Sequence, residues 1–213
     1  MGTTAPFERT RNGHGGPVAP RDRILRAASD LFSAEGVRVG VDALIDRARV
    51  AKATFYRHFP SKDDLVAAWL EGPEARWIDD VAPEAERRAT SPRERLLVFW
   101  DVLAEWLEAH GHRSCPYLNT LAEIRAPDHP IRNQILTYVG EVEGFFARTA
   151  READLPAPEE LATRLLLVCM GTFMADGLVP ARRPAATARA LTRELLAARG
   201  VAVEPSPLPD GYR

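Results

Sequence analysis

Apolar residues recur along this chain with a helical period, and no run alternates as a half-buried strand would. The first amphipathic segment runs from about Pro20 to Glu35, with Ile24, Leu25, Ala28, Leu31 and Phe32 on one face, and Gly36 stops it. Val41, Leu44, Ile45 and Ala48 predict a short second helix, and Ala51, Phe55 and Phe59 a third within two or three residues. Pro60 closes the third. Ser61 opens a fourth, with Asp64 at the N3 position of a capping box, and this helix is expected to continue to about residue 80. Gly72-Pro73 interrupts it: Pro73 cannot donate to the carbonyl of Trp69, so a kink or break is expected there.

Later boundaries are equally plain. Ser91-Pro92-Arg93-Glu94 combines an N-cap Ser, a Pro at N1 and a Glu at N3. The helix it opens is apolar at ten of the twelve positions from Leu96 to Leu107, so other helices must surround it. Further helices are expected from Pro116 to Arg125, Asp128 to Asp154, Pro158 to Leu178 and Pro184 to Arg199. The fold class is therefore all-α, with about nine helices. A three-helix head over residues 19–66 precedes a helical body over 67–200. The Gly- and Pro-rich ends, 1–18 and 201–213, read as disordered arms.

Composition is ordinary for a globular chain: 213 residues, 46% hydrophobic and 27% charged, with a net charge of −2. That near-neutrality argues against an indiscriminate nucleic-acid coat or a polybasic membrane binder. The charge is unevenly spread. Residues 1–62 hold eleven basic and six acidic side chains, a balance of +5, against 17 and 24 in the remainder, or −7. Lysine occurs only at Lys52 and Lys62, both in the basic third, which points to a polyanion partner for that part alone. The stretch from Leu165 to Ala175 is far below the roughly 18 apolar residues of a membrane span. Two cysteines, Cys115 and Cys169, form no disulfide framework, and no apolar signal segment is visible, so a cytoplasmic, non-membrane protein is expected.

Two short helices joined by a tight turn and packed on a longer one make a helix-turn-helix. With Phe55 at the buried centre of the third helix and 100° per residue, Ala51 and Phe59 turn inward and His58 lies on the shoulder. Ala53 and Arg57 then point outward, flanked by Lys52, Thr54 and Tyr56. Such a face suits a major groove: Arg reads guanine, a small side chain allows close approach, and Tyr, Lys and Thr hold phosphates.

The run from Val50 to Leu65, Val-Ala-Lys-Ala-Thr-Phe-Tyr-Arg-His-Phe-Pro-Ser-Lys-Asp-Asp-Leu, resembles the DNA-binding signature of the TetR family of transcriptional regulators. The Arg-x-x-Ile-Leu-x-Ala-Ala-x-x-Leu-Phe pattern from Arg21 to Phe32 is similar to that family's first helix. The resemblance implies a homodimeric, ligand-responsive regulator, expected to be a repressor, on a palindromic double-stranded operator. It also implies that Tyr56, His58 and Lys62 hold the DNA backbone, while Lys52, Ala53, Thr54 and Arg57 lie at or near base edges. Two features depart from the family pattern. Arg49 stands where a turn glycine is usual, and the segment Gly36 to Val41 is one residue short, with Gly40 in place of a Ser or Thr cap.

The remaining helices are rich in aromatics. A pocket for a small apolar or aromatic effector is expected between the helices starting at Pro92, Pro116, Asp128 and Pro158. Its candidate liners are Trp69, Phe99, Trp100, Leu103, Trp106, Tyr117, Leu121, Tyr138, Val142 and Phe173. Leu161, Leu165, Val168 and Thr172, with Leu191 and Leu195, are the candidate dimer stripe on the last two helices. His110, His112 and Cys115 do not match a zinc spacing, although Cys115 near a helix start admits thiol sensing. No G-x-S-x-G, H-E-x-x-H or P-loop is present, so no catalytic residues, metal or cofactor are expected. The competing class is a helical ligand-binding or metal- or thiol-sensing protein with weak or no specific DNA binding.

Overall fold

The computed structural model describes residues 18–73, 75–111, 114–180 and 182–200. The arms expected at 1–18 and 201–213 fall outside this set, apart from Val18. Among the described residues there are ten helices and no strand: α1 (Pro20–Glu35), α2 (Val41–Ala48), α3 (Lys52–His58), α4 (Lys62–Leu70), α5 (Ile78–Arg88), α6 (Pro92–Ala109), α7 (Pro116–Glu123), α8 (Pro130–Glu152), α9 (Pro158–Ala175) and α10 (Arg183–Ala197).

The tenth helix arises where one continuous fourth helix is expected. Instead of running to residue 80, α4 ends at Leu70, and a separate helix, α5, starts at Ile78. Gly72 and Pro73 stop the helix outright rather than bending it. The new start has no side-chain cap, and the Ile78 N–H donates instead to the Tyr138 hydroxyl at 3.1 Å, in a buried setting.

The chain divides into two compact units. The first, the head, comprises described residues 18–76 and 115–137, and the second comprises 77–114 and 138–200. In the head, α1 packs on α2, α3 and α4. Ile24, Ala28, Leu44, Phe55 and Leu65 are fully buried at its centre, and Phe32 meets Trp69 edge-on at 5.1 Å. The segment containing α7 closes the head: the Tyr117 hydroxyl donates to the Leu70 carbonyl at 2.5 Å.

In the second unit α6 packs against α5 and α10, and α10 against α9. Nine residues of α6 are buried, as its nearly continuous apolar run requires. Arg88 ties α5 to α6 through a bidentate pair with Glu105 at 2.8 and 2.7 Å, and also meets Glu84. Deep in the core, Trp100 Nε1 donates to Thr192 Oγ1 at 2.7 Å, joining α6 to α10. The same hydroxyl donates to the Ala188 carbonyl at 2.8 Å.

That indole N–H has no access to water, since Trp100 and Thr192 are both fully buried. Thr192→Val keeps the shape and removes the acceptor, so it is expected to cost about 1–3 kcal/mol in urea unfolding. A change below about 0.5 kcal/mol would mean that the bond is dispensable.

Candidate nucleic-acid interface

Helix α3 has seven residues and neither end is capped by a side chain, so packing must hold it. Phe55 is fully buried and Phe59 nearly so, with their rings 6.3 Å apart. Arg21 on α1 lies over the Phe59 ring at 5.4 Å and covers it from the solvent side. With this face turned inward, Lys52, Ala53, Tyr56 and Arg57 are exposed, and Thr54 is half-buried. Tyr56, 42% exposed, leans edge-on against Phe55 at 5.3 Å, which orients its ring while leaving part of it outside.

The turn from α2 into α3 depends on Arg49. Its backbone is left-handed, with φ 53° and ψ 51°, and its N–H donates to the carbonyls of Asp46 and Ile45. This is the conformation a glycine would adopt most easily, and here an arginine adopts it. Arg23 on α1 donates from Nη1 to the Arg49 carbonyl at 3.2 Å, pinning the turn to the first helix. Across the motif, Lys52 Nζ lies 3.7 Å from Asp42 Oδ1, an exposed pair that a phosphate could readily replace.

At the start of α4 the expected capping box is present. Ser61 N–H and Oγ–H donate to Asp64 Oδ2 at 2.8 and 2.7 Å, and Asp64 N–H donates back to Ser61 Oγ at 3.1 Å. Lys62 is the first residue of this helix and is half-buried. Burial lowers the pKa of its ammonium from the ordinary lysine value, against the opposing pull of Asp63 and Glu123. His58 is placed differently from the other candidates. Its Nε2 is shielded from solvent without a hydrogen-bond partner, so that nitrogen does not face the exposed side of α3.

The structure therefore gathers Lys52, Ala53, Tyr56 and Arg57 on one open surface, with Thr54 and Lys62 at its margins. Arg21 and Arg23 on α1 support that surface from behind, through the Phe59 ring and the Arg49 carbonyl. Arg21 opens the pattern that resembles the family's first helix, but both contacts reach residues far along the chain, which no local spacing signals.

The other candidates fall into both units. Trp69, Tyr117 and Leu121 belong to the head. In the second unit, Phe99 meets Trp100, Phe145, Phe146 and Trp77, while Trp77 also meets Tyr138 and Phe173. Leu103, Trp106 and Val142 are buried in the same unit. Beside this cluster an open cleft of about 390 Å³ lies between α5 and α8. Ile78, Ala82, Pro83 and Phe145 line it, with Asp79, Glu86, Glu141 and Arg148.

The dimer stripe requires a correction. Leu161 and Leu165 are fully buried within their own unit and Thr172 nearly so; they are core residues, not surface. Val168 and Leu195 are half-buried, and Leu191 is exposed. The apolar surface of α9 and α10 is formed instead by Leu167, Met174 and Leu191, continued by Leu178 and Val179 just beyond α9.

His112 lies outside the described residues. His110 stacks on Trp106 with ring centres 3.9 Å apart, its Nδ1 is 2.8 Å from the Trp106 carbonyl, and Cys115 is buried. Among the described residues no group of three or more His, Cys, Asp or Glu side chains is arranged to hold a metal ion, and no helix is long and apolar enough to cross a membrane.

The profile of the family described as "Bacterial regulatory proteins, tetR family" matches residues 24–69. The "HTH-type transcriptional activator FasR" of Mycolicibacterium smegmatis is 33% identical over 99 residues, covering 44% of this chain and 43% of that protein. The "Transcriptional regulator AcuR" of Cereibacter sphaeroides is 29% identical over 133 residues, 60% of this chain and 58% of that one. The chain thus spans about half the length of the curated relatives it matches. Among solved structures, a TetR-family transcriptional regulator from Streptomyces coelicolor superposes with a TM-score of 0.77 at 24% identity, over 85% of this chain and 96% of that one. Regulatory protein TetR from Rhodobacter sphaeroides gives a TM-score of 0.69 at 25% identity, over 82% and 97%.

Because the Arg49 conformation penalises any residue with a Cβ, Arg49→Gly is expected to raise stability by roughly 0.5–1 kcal/mol in denaturant unfolding. The bond from Arg23 is made to the main chain and survives the change. A destabilised variant would show that the Arg49 side chain itself holds the turn.

Proposed function

We propose that this chain, which belongs to the tetR family of bacterial regulatory proteins, is a DNA-binding transcriptional regulator that acts as a homodimer and answers to a small-molecule effector. One observation carries the reading: α3 buries Phe55 and Phe59 and thereby turns Lys52, Ala53 and Arg57 outward together. The helix can enter a major groove with Ala53 leaving room for close approach and Arg57 reaching base edges. Lys52, Tyr56 and Lys62 then serve phosphates on either side. The concentration of basic side chains in this segment supplies the sequence-independent part of the affinity.

A second copy of the chain is the partner suggested for α9 and α10. Leu167 is 64% exposed, Met174 57% and Leu178 80%, an amount of bare apolar surface that a lone chain rarely keeps. Gly171 and Ala175 beside them, near a groove of about 320 Å³ between α9 and α10, permit close helix crossing. A two-fold pairing there would bring two copies of α3 into one dimer, as a two-fold symmetric DNA site requires. For the effector, the cleft beside Phe145 and the aromatic cluster behind it support an apolar or aromatic molecule. Repression relieved by that molecule is the mode we assign.

Purified protein should enrich a defined fragment from a random DNA pool. On that fragment Arg57→Ala should lose about 1–3 kcal/mol and relax preference at one base position. Lys62→Ala should instead weaken all DNA alike and lower the salt slope by about one unit. Equal losses for Arg57→Ala on enriched and scrambled DNA would remove its base-reading role, and failure to enrich anything would favour a ligand-binding protein without specific DNA contact. In sedimentation, Leu167→Glu combined with Met174→Glu should weaken self-association on the order of tenfold or more. An unchanged dimer would move the interface elsewhere.

A further inference from the structure

The connection between α1 and α2 is short and has no cap of its own. Gly40, the N-cap of α2, offers no side chain, and no side-chain bond is made there. Gly36 sits at φ 82° and ψ 173°, a backbone conformation that disfavours every residue with a Cβ. The next two amides, those of Val37 and Arg38, point the same way, and both are taken by one distant carboxylate. Val37 N–H donates to Glu123 Oε1 at 3.1 Å, and Arg38 N–H donates to Glu123 Oε2 at 3.0 Å.

The contact is reciprocal. Arg38 Nη2 donates to the Glu123 carbonyl at 3.4 Å, and Arg38 Nε lies 4.0 Å from Glu123 Oε2. A Cβ built on Gly36 would overlap Glu123 Oε1, so the glycine also makes room for the carboxylate. Val37 is buried among the core residues, and without Glu123 its N–H would lose the partner it has. Glu123 is the last residue of α7, whose segment is otherwise fastened to α4. Tyr117 bonds Leu70, Gln134 Nε2 bonds the Ala67 carbonyl at 3.0 Å and Glu71 Oε1 at 2.7 Å, and His129 Nε2 lies 3.4 Å from Asp63 Oδ2.

We propose that Glu123 is a positioning residue for DNA reading: its carboxylate clamps the α1–α2 turn and so sets where α2, and the α3 that follows it, lie. Resting on the DNA-binding function proposed above, this assigns to a residue of α7 a role in specificity without any contact to DNA. The mechanical basis is short. Only Val39 and Gly40 separate the clamped amides from α2, and only the Arg49–Ala51 turn separates α2 from α3. A small displacement of the clamped turn is therefore passed to the outward face of α3, where side chains must meet base edges to within hydrogen-bond distance.

The charge of Glu123 adds a signature that a merely structural residue would lack. It acts on Lys62 electrostatically, so it opposes the phosphate attraction at the margin of the same surface. Glu123→Gln keeps size and burial, loses the charge, and presents an amide N–H₂ to at least one of the two main-chain donors.

The test uses the full-length chain, the fragment it enriches from a random pool, and a scrambled duplex of equal length and composition. In Glu123→Gln the amides of Val37 and Arg38 should exchange hydrogen faster while those in the middle of α1 stay protected. Affinity for the enriched fragment should fall about tenfold, as expected for losing a charge-assisted bond, while affinity for the scrambled duplex stays level or rises. Unchanged exchange at residues 37 and 38 would overturn the clamp. Parallel losses on both duplexes would reduce Glu123 to a folding residue, and parallel gains would reduce it to a nearby charge. Should the wild-type chain itself fail to distinguish the two duplexes, the DNA-binding function falls and takes this role with it, whereas intact wild-type discrimination with unaltered discrimination in the variant overturns the role of Glu123 alone.

Discussion

A helix of seven residues cannot hold itself in water, because the cost of nucleating it exceeds what its few internal bonds return. The burial of Phe55 and Phe59 is what makes α3 exist, and the rest of the head is arranged to receive those two rings. α1 contributes the floor beneath them and Arg21 the cover over Phe59. Because the rings fix the rotation of α3 about its own axis, they also decide which side chains face out. The chemistry of the open surface is thus a by-product of the core, and a change in the core would re-aim it.

The same economy appears in the two turns that flank α2. One is bent by a left-handed Arg49 and tied back to α1 through Arg23; the other is bent by Gly36 and tied to α7 through Glu123. Neither uses the side-chain caps that usually begin short helices. Each exchanges a local bond for one made by a residue more than twenty positions away, so α2 is located by its neighbours rather than by its own ends.

Much of the fold could be read from the chain because its punctuation is local. Pro20, Ser61 with Asp64, Ser91 with Pro92, Pro116 and Pro158 each mark a helix start within a residue or two, and the spacing of Ala51, Phe55 and Phe59 shows which face of α3 turns inward. What escaped was non-local. α5 starts without any cap signal because Tyr138, sixty residues away, accepts its first N–H. The stretch Leu165-Leu166-Leu167-Val168 is apolar at every position, so periodicity cannot tell which side meets the core; the structure buries Leu165 and leaves Leu167 bare. Of the site, the outward face of α3 was legible because it is the complement of a clear apolar stripe. The supports, Arg23 and Glu123, act through main-chain groups that carry no residue identity, and His58 turns a nitrogen inward that the resemblance alone would place on phosphate.

The head is not a continuous piece of chain. Its described residues come from 18–76 and 115–137, and the intervening 38 residues belong to the other unit. During synthesis the helix-turn-helix therefore leaves the ribosome well before the segment that completes it. Until Glu123 has been made, the amides of Val37 and Arg38 must be served by water, and until Tyr117 arrives the carbonyl of Leu70 is likewise unclaimed by it. At a translation rate of about 5–20 residues per second this interval lasts some seconds. The nascent protein thus carries all the side chains of the outward face of α3 before the contacts of Glu123 and Tyr117 with the earlier part of the head are made.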